Sequence, residues 1–340
     1  MPAITKPSNH FNATLYTGDG TSNRTITGTG FQPDWLWLKM RNDVDDNVLV
    51  DSVRGGSKRI KSNTTDAESD ISYPTLASDG FVVSSGVYNN SAKTFVAWQW
   101  KAGGAAVTNN DGTITSQVSA NPTAGFSVVT FTAPSSGNFS AGHGLGVTPG
   151  MVITKVRGRA TSWITWHNRL NSGSPGTTYY VDLNTTGGQS TFASVWGSTG
   201  VTSSVIGMGV GASCAASDTI VAYCFAPITG YSAFGSYTGN ASTDGPFVYT
   251  GFKPKFLMIK RTDTTNSWVI QDTTRSTYNV SQNNIYADSS AAEASYGSEL
   301  TDILSNGFKQ RNTGVSMNAS GGTYVYAAFA EAPLKYANAR

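Results

Sequence analysis

Three histidines, His10, His143 and His167, are where acid–base chemistry would start in this chain of 340 residues. His143 sits in AGHGLG, where the flanking glycines leave a base without a fixed pose. His167 would need a serine in a nucleophile-elbow context, and no G-x-S-x-G occurs, so it reads as a surface or hydrogen-bonded structural histidine. Sugar hydrolysis needs two carboxylates, but Glu68, Glu293, Glu299 and Glu331 are the only glutamates and nothing in their spacing pairs them. Asp43, Asp45 and Asp46 in NDVDDN raise calcium. An EF-hand loop counted from Asp43 would carry Val48 where glycine is needed and Arg54 where the bidentate glutamate belongs. Cys214 and Cys224 are too few for a disulfide scaffold and have no neighbouring zinc set; Cys224, within TIVAYCFAP, reads as a buried free thiol. These patterns assign no catalytic residue, no cofactor and no metal ligand.

Other side chains repeat without forming a constellation. Asp51 with Arg54, and Asp272 with Arg275, read as charge pairs or capping carboxylates that fix the following loop, and His167 stands in the aspartate's slot. The basic run RGGSKRIK, 54–61, reads as a solvated loop balanced by Asp66, Glu68 and Asp70, with docking on an acidic partner as the sharper alternative. Alternation sends Trp35 and Trp37 to one face, and likewise Trp98 and Trp100, which makes them core. Trp166 and Trp196 fall outside the repeated frame. They are the candidates for exposed ligand contact, where an indole can stack on a sugar or a partner.

The elements behind these residues come in three copies. GFQPDWLWLK, GVTPGMVITK and GFKPKFLMIK share Gly30/Gly146/Gly251, Pro33/Pro149/Pro254 and Lys39/Lys155/Lys260, with Trp35, Met151 or Phe256 behind each proline. At one offset from each lysine begin NVLVD, WITWH and WVIQD, and each copy closes on TFVAWQW, TIVAYCF or TYVYAAF. Alternating β-branched and aromatic residues make these strands. Proline then sets a rigid entry, the large apolar residue packs inward and lysine emerges at the strand's end.

The expected architecture is all-β, three tandem β-sandwiches of jelly-roll or lectin-like type with at most one or two short helices. Residues 1–9 form an arm, 10–103, 125–229 and 230–333 the three repeats, 104–124 a flexible linker with room for a stray strand, and 334–340 a tail. The opening of the middle copy, GFSVVTFTAPSSG, departs from LYTGDGTSN and SYTGNASTD and leaves its strand plan open. One or two helical turns are expected in SSAAEASYGSELTDILSNGF.

Charged residues make up 13% of the chain and the formal net charge is +2, too little field to collect nucleic acid or an anionic membrane. Neither a signal peptide nor a bilayer-spanning run is legible, so the expectation is a soluble protein made in a cytosol.

GFKPKFLMIKRTDTTNSWVIQDTTR, followed by SNGFKQR, TYVYAAFAEAP and the YTG opening, resembles a repeat domain of structural proteins of tailed bacteriophages, especially marine ones. The resemblance covers copy three strongly, copy one well and copy two weakly. It implies a lectin-like sandwich in a virion component: a tail fibre, a tail-tip protein or a capsid decoration. It carries over no catalytic or binding residue. The expected role is non-enzymatic attachment to host-surface polysaccharide, in a virion assembled in the host cytoplasm beside other virion proteins and as a homo-oligomer, a trimer above all. A decoration or joint that touches no host, strapped on by MPAITKPSNH, and a polysaccharide depolymerase are the alternatives.

Overall fold

The computed structural model describes residues 4–86 and 88–333. The tail lies outside the described residues, as does the start of the arm. In every repeat the main sheet runs in one order: opening, closing, framework, second, third and edge strand, all antiparallel. In repeat 1 these are Phe11–Thr17, Thr94–Trp100, Trp35–Met40, Val48–Asp51, Lys58–Lys61 and Ser69–Asp70. In repeat 2 they are Phe126–Thr132, Thr219–Phe225, Met151–Val156, Ile164–His167, Tyr179–Asp182 and Ser190–Thr191. In repeat 3 they are Ser232–Thr238, Thr323–Pro333, Phe252–Arg261, Trp268–Asp272, Asn283–Tyr286 and Ala294–Ser295. Register is shared as well. Trp35 pairs with Trp100 and Asp51, Met151 with Phe225 and His167, and Phe256 with Phe329 and Asp272. The middle copy therefore has the same strand plan, its divergent opening notwithstanding.

Each main sheet is covered on both faces, which is why WLWLKM and MVITKV are buried at every position instead of alternating. On one face lies the repeat's own second sheet. In repeat 1 this is Arg24–Ile26, Gly80–Val83 and Thr75–Ala77, closing a core of Leu36, Leu38, Val48, Val50, Phe81 and Phe95. Repeat 3 uses Phe247–Tyr249, Gly307–Gln310 and Thr301–Leu304, and repeat 2 only Asn138–Gly142 with Val205–Gly209. On the other face the three repeats meet one another. Trp35, Trp37, Trp98 and Trp100 join Phe126, Met151, Tyr223 and Phe225, and Phe256, Met258 and Phe329, in one shared core. The equivalent residues Trp100, Phe225 and Phe329 touch pairwise, with ring centroids 6.2, 5.5 and 5.7 Å apart. The repeats close into a ring around that trio.

Several expectations need correction. Segment 104–124 is not a flexible spacer, because Val107–Asn109 and Ser116–Asn121 extend the main sheet of repeat 2 beyond its opening strand. The run expected to be helical is instead the edge strand Ala294–Ser295 and a hairpin, Thr301–Leu304 with Gly307–Gln310. Its apolar residues line a sheet face, and pairing with Phe247–Tyr249 overrides the local preference. Two 3-10 turns, Pro7–Asn9 and Asn171–Gly173, are the helical segments among the described residues. The described part of the arm is not a free strap, since Ile4 is buried in the shared core.

The repeat glycines answer to conformation. Gly30, Gly146 and Gly251 have φ of 84°, 72° and 81°, a left-handed turn in which a Cβ is strained. The prolines that follow are all buried, but they do not share one role. Pro33 and Pro149 stand just ahead of the framework strands that begin at Trp35 and Met151, where a fixed φ sets the entry as expected. Pro254 does not. The strand of repeat 3 starts earlier, at Phe252, so Pro254 lies inside it, and the pairing with the closing strand slips on both sides of it, between Lys253 and Pro254 and between Pro254 and Phe256. A residue with no N–H to give the ladder is tolerated in a strand at such an irregularity.

Candidate functional site

The shared lysines do not emerge into solvent; Lys39, Lys155 and Lys260 are at most 1% exposed. Each reaches across a junction to backbone carbonyls of the next repeat. Lys39 Nζ donates to Ser290 O of repeat 3 at 3.1 Å and to its own Asp45 O at 2.8 Å. Lys155 donates to Thr65 O of repeat 1 at 3.1 Å and to Thr161 O at 3.0 Å. Lys260 donates to Thr186 O of repeat 2 at 2.8 Å and to Asn266 O. The contacts run repeat 1 to 3, 3 to 2 and 2 to 1, a closed cycle. Burial lowers each ammonium to a pKa of about 8, still high enough to keep it charged at neutral pH. The lysines thus serve as clamps.

Beside two of the clamps lies a buried ionic network. Between repeats 2 and 1, Arg54 Nε donates to Asp51 Oδ2 at 2.5 Å and Arg54 Nη1 to Glu68 Oε2 at 3.0 Å. Arg157 of repeat 2 grips the same glutamate with two bonds of 2.9 Å, and the Tyr223 hydroxyl donates to Asp51 at 2.7 Å. Between repeats 1 and 3 the same parts recur. Arg275 binds Asp272 and Glu293, Arg41 of repeat 1 forks onto Glu293 at 3.0 and 2.8 Å, and Trp98 Nε1 donates to Asp272 at 3.0 Å. Burial pushes the Glu68 and Glu293 carboxyls up, but hydrogen bonds from the flanking arginines outweigh it and hold both below the usual value. Burial likewise pulls the Arg54 guanidinium down, and Asp51 first among its partners more than reverses that. The expected aspartate–arginine pairs are present in both repeats.

The third junction, between repeats 3 and 2, has lost every charge of this set. His167 replaces the aspartate, Leu170 its arginine, Gln189 the glutamate and Thr262 the opposing arginine. The backbone bond marking the site persists: Gln189 N donates to Thr262 O at 2.8 Å, as Glu68 N does to Arg157 O and Glu293 N to Arg41 O. His167 Nε2 donates to Tyr326 O at 3.1 Å and its Nδ1 accepts from Arg169 N. The imidazole is therefore neutral, and burial lowers its pKa to about 4. Where the glutamate–arginine fork closes the other junctions, a cleft of about 340 Å³ opens here, with Gln189 and Thr262 in its walls.

The remaining nominated residues are structural. Trp166 and Trp196 are 5% and 0% exposed and lie in the core of repeat 2, so the expectation of exposed ligand contact fails for both. Repeat 2 lacks a third strand in its second sheet, and the loop carrying Trp196 fills that space, its Nε1 donating to Tyr179 O at 2.8 Å. Trp166, on the second strand, points to the same interior. His143 is held after all, with Nε2 donating to Thr202 O and Nδ1 accepting from Leu145 N. The basic run is partly strand, and three of its four charges are matched at home, Arg54 by Asp51, Lys58 by Asp70, and Lys61 by Asp46 and Asp66, while Arg59 donates to the Ser69 and Tyr88 hydroxyls. Both cysteines are free and buried, and burial pushes the thiols up to about 11 and about 12. Large side chains that do face solvent include Phe192, Phe247, Tyr249, Tyr278 and Tyr296. Sequence reasoning missed these. The signal was available for Phe247 and Tyr249, which flank Val248 in a short alternating strand.

The fold and its junctions define a protein built as a ring of three β-sandwiches in one chain, clamped by lysines and closed by a shared aromatic core. The chain belongs to the family described as a domain of unknown function, DUF7483, whose match runs over residues 6–333. That match spans the whole ring as one unit. Among curated proteins nothing matches the chain. No helix among the described residues is long and apolar enough to cross a membrane.

Proposed function

We propose that the chain is a non-catalytic structural component of a tailed-bacteriophage virion, in the tail fibre or tail tip, which attaches to polysaccharide on the host surface. The observation that carries this reading is where the recurring residues are used. Repeated lysines, aspartates and core aromatics are all consumed in closing the ring, so recognition falls to the residues in which the repeats differ. Those include exposed rings on repeat 3, where Phe247 and Tyr249 project from one face of a short strand and Tyr278 is 81% exposed. Such rings stack on sugar faces. Other virion proteins are the expected partners, and a threefold homo-oligomer would multiply weak contacts into avidity.

The test is adsorption of fluorescently labelled full-length protein to bacterial cells, before and after periodate oxidation of the surface polysaccharide. Binding that periodate removes, and that falls on substituting Phe247 and Tyr249 by serine, is the expected result. Protein that binds no cells across a panel of candidate hosts, or binds oxidised cells equally well, sinks the proposal.

A further inference from the structure

The cleft at the junction of repeats 3 and 2 is an opening made by substitution, and its chemistry is specific. In the other two junctions a carboxylate sits between two guanidinium groups, Glu68 between Arg54 and Arg157 and Glu293 between Arg275 and Arg41. Here the carboxylate and both arginines are gone, and an arginine appears instead at the neighbouring position, Arg169, in the wall of the cleft. Among the described residues no carboxylate lies within ion-pair distance of Arg169, whereas Arg41, Arg54, Arg157 and Arg275 are all paired.

The rest of the lining is uncharged and rich in hydrogen-bonding groups. Ser172, Ser236 and Thr238 contribute hydroxyls that no other described side chain engages, and Gln189, whose Oε1 accepts from Asn171 N at 2.9 Å, keeps its amide NH2 free. Behind them the Tyr237 and Tyr324 rings stack 4.9 Å apart, nearly parallel, with their hydroxyls tied to Met317 O and Val315 O. The wall is therefore rigid. A volume of about 340 Å³ falls at the small end of pockets that hold organic ligands. One cation among hydroxyls matches one anion among hydroxyls, and a guanidinium fork presents the geometry that a carboxylate accepts in two bonds.

We propose that this cleft binds a uronic-acid residue of an acidic polysaccharide, its carboxylate on Arg169 and its hydroxyls on Gln189 and the serine and threonine side chains. The ligand carboxylate would then restore what Glu68 and Glu293 supply in the sister junctions. The choice of a sugar rests on the attachment reading above; the site itself does not.

The experiment is titration of the full-length protein with methyl β-glucuronide, methyl β-glucoside and glycerol phosphate, followed by NMR or calorimetry. Expected is saturable binding of the glucuronide, with the neutral glucoside and glycerol phosphate both weaker by about 10- to 100-fold, the range of a charge-assisted hydrogen bond. Arg169→Gln should lose a similar factor for the glucuronide only. The double variant Gln189→Glu/Thr262→Arg rebuilds the closing fork and should abolish binding while its thermal unfolding stays cooperative. Equal affinity for the neutral sugar, tighter binding of glycerol phosphate, or no glucuronide binding at tens of millimolar overturns the site. If the glucuronide binds but no cell does, the attachment role fails and the site stands. If cells bind and the glucuronide does not, the reverse holds.

Discussion

His167 holds the position that Asp51 and Asp272 hold in their repeats, but it faces the Tyr326 carbonyl instead of an arginine. Burial lowers the pKa of the imidazole to about 4, outweighing the bond to the Tyr326 carbonyl, and Nδ1 is already occupied in accepting from Arg169 N. An unfolded histidine titrates near 6.5. As pH drops below that value the unfolded chain takes up a proton that the fold refuses, so stability declines until about pH 4 and then levels. Over pH 7 to 4.5 this one residue accounts for about 2 kcal/mol of lost stability. Replacing it by glutamine, which keeps a donor for the carbonyl, should shrink the difference between urea unfolding free energies at those two pH values by that amount. An unchanged difference would show that the ring accepts a proton without cost. The slot was legible in sequence from the offset to the lysine; the carbonyl opposite it was not, because it belongs to another repeat. The lysines misled for the same reason. Nothing local to Lys39 tells that Ser290 O waits for its ammonium.

At the scale of the elements, the framework, second and closing strands were legible in all three copies, since apolar runs and a shared offset mark them, whereas the third strand Lys58–Lys61 passed for a loop because its residues are mostly charged. Their neighbours were harder. Thr301–Leu304 looked helical because its alanine and glutamate neighbours favour a helix, but sheet pairing decided. Trp196 looked free because no other repeat has its counterpart, although a residue outside the frame can equally fill a gap that the frame leaves, as it does here. The junctions make a prediction at this level. Removing Arg54 alone leaves Asp51 and Glu68 buried with a partner missing, and breaking a buried pair in this way costs about 3–5 kcal/mol. The chain already contains a neutral solution of the same junction. Arg54→Leu should therefore be the more damaging variant, and the fourfold change Asp51→His/Arg54→Leu/Glu68→Gln/Arg157→Thr the milder one, despite touching more residues. Thermal unfolding of the two proteins side by side decides it; a fourfold variant less stable than the single one would mean that the two junctions are not interchangeable in shape.

For the whole molecule, the question is whether a repeat is a domain in its own right. Repeat boundaries read from sequence suggested three independent sandwiches, and each does have a second sheet over one face. The other face is apolar and belongs to the ring. In repeat 3 it carries Phe234, Phe256, Met258 and Phe329, all 5% exposed or less, as repeat 1 carries its four tryptophans. Leaving four such side chains in water forfeits on the order of 10 kcal/mol, which is the entire net stability of an ordinary domain. The two junctions severed around repeat 3 add two lysine clamps, Lys39 on Ser290 O and Lys260 on Thr186 O, and the ionic network of Glu293 to that loss. Residues 230–333 expressed alone should therefore not persist as a folded monomer. They should either assemble into a threefold homo-oligomer that rebuilds the ring from identical copies, or precipitate, and light scattering on the soluble fraction distinguishes the two. The intact chain, by contrast, should unfold in one cooperative transition, because no repeat can leave the ring without uncovering the other two. A soluble, cooperatively folded monomer of 230–333 would mean that the shared core is a contact between finished domains and that the ring does not stabilise its own parts.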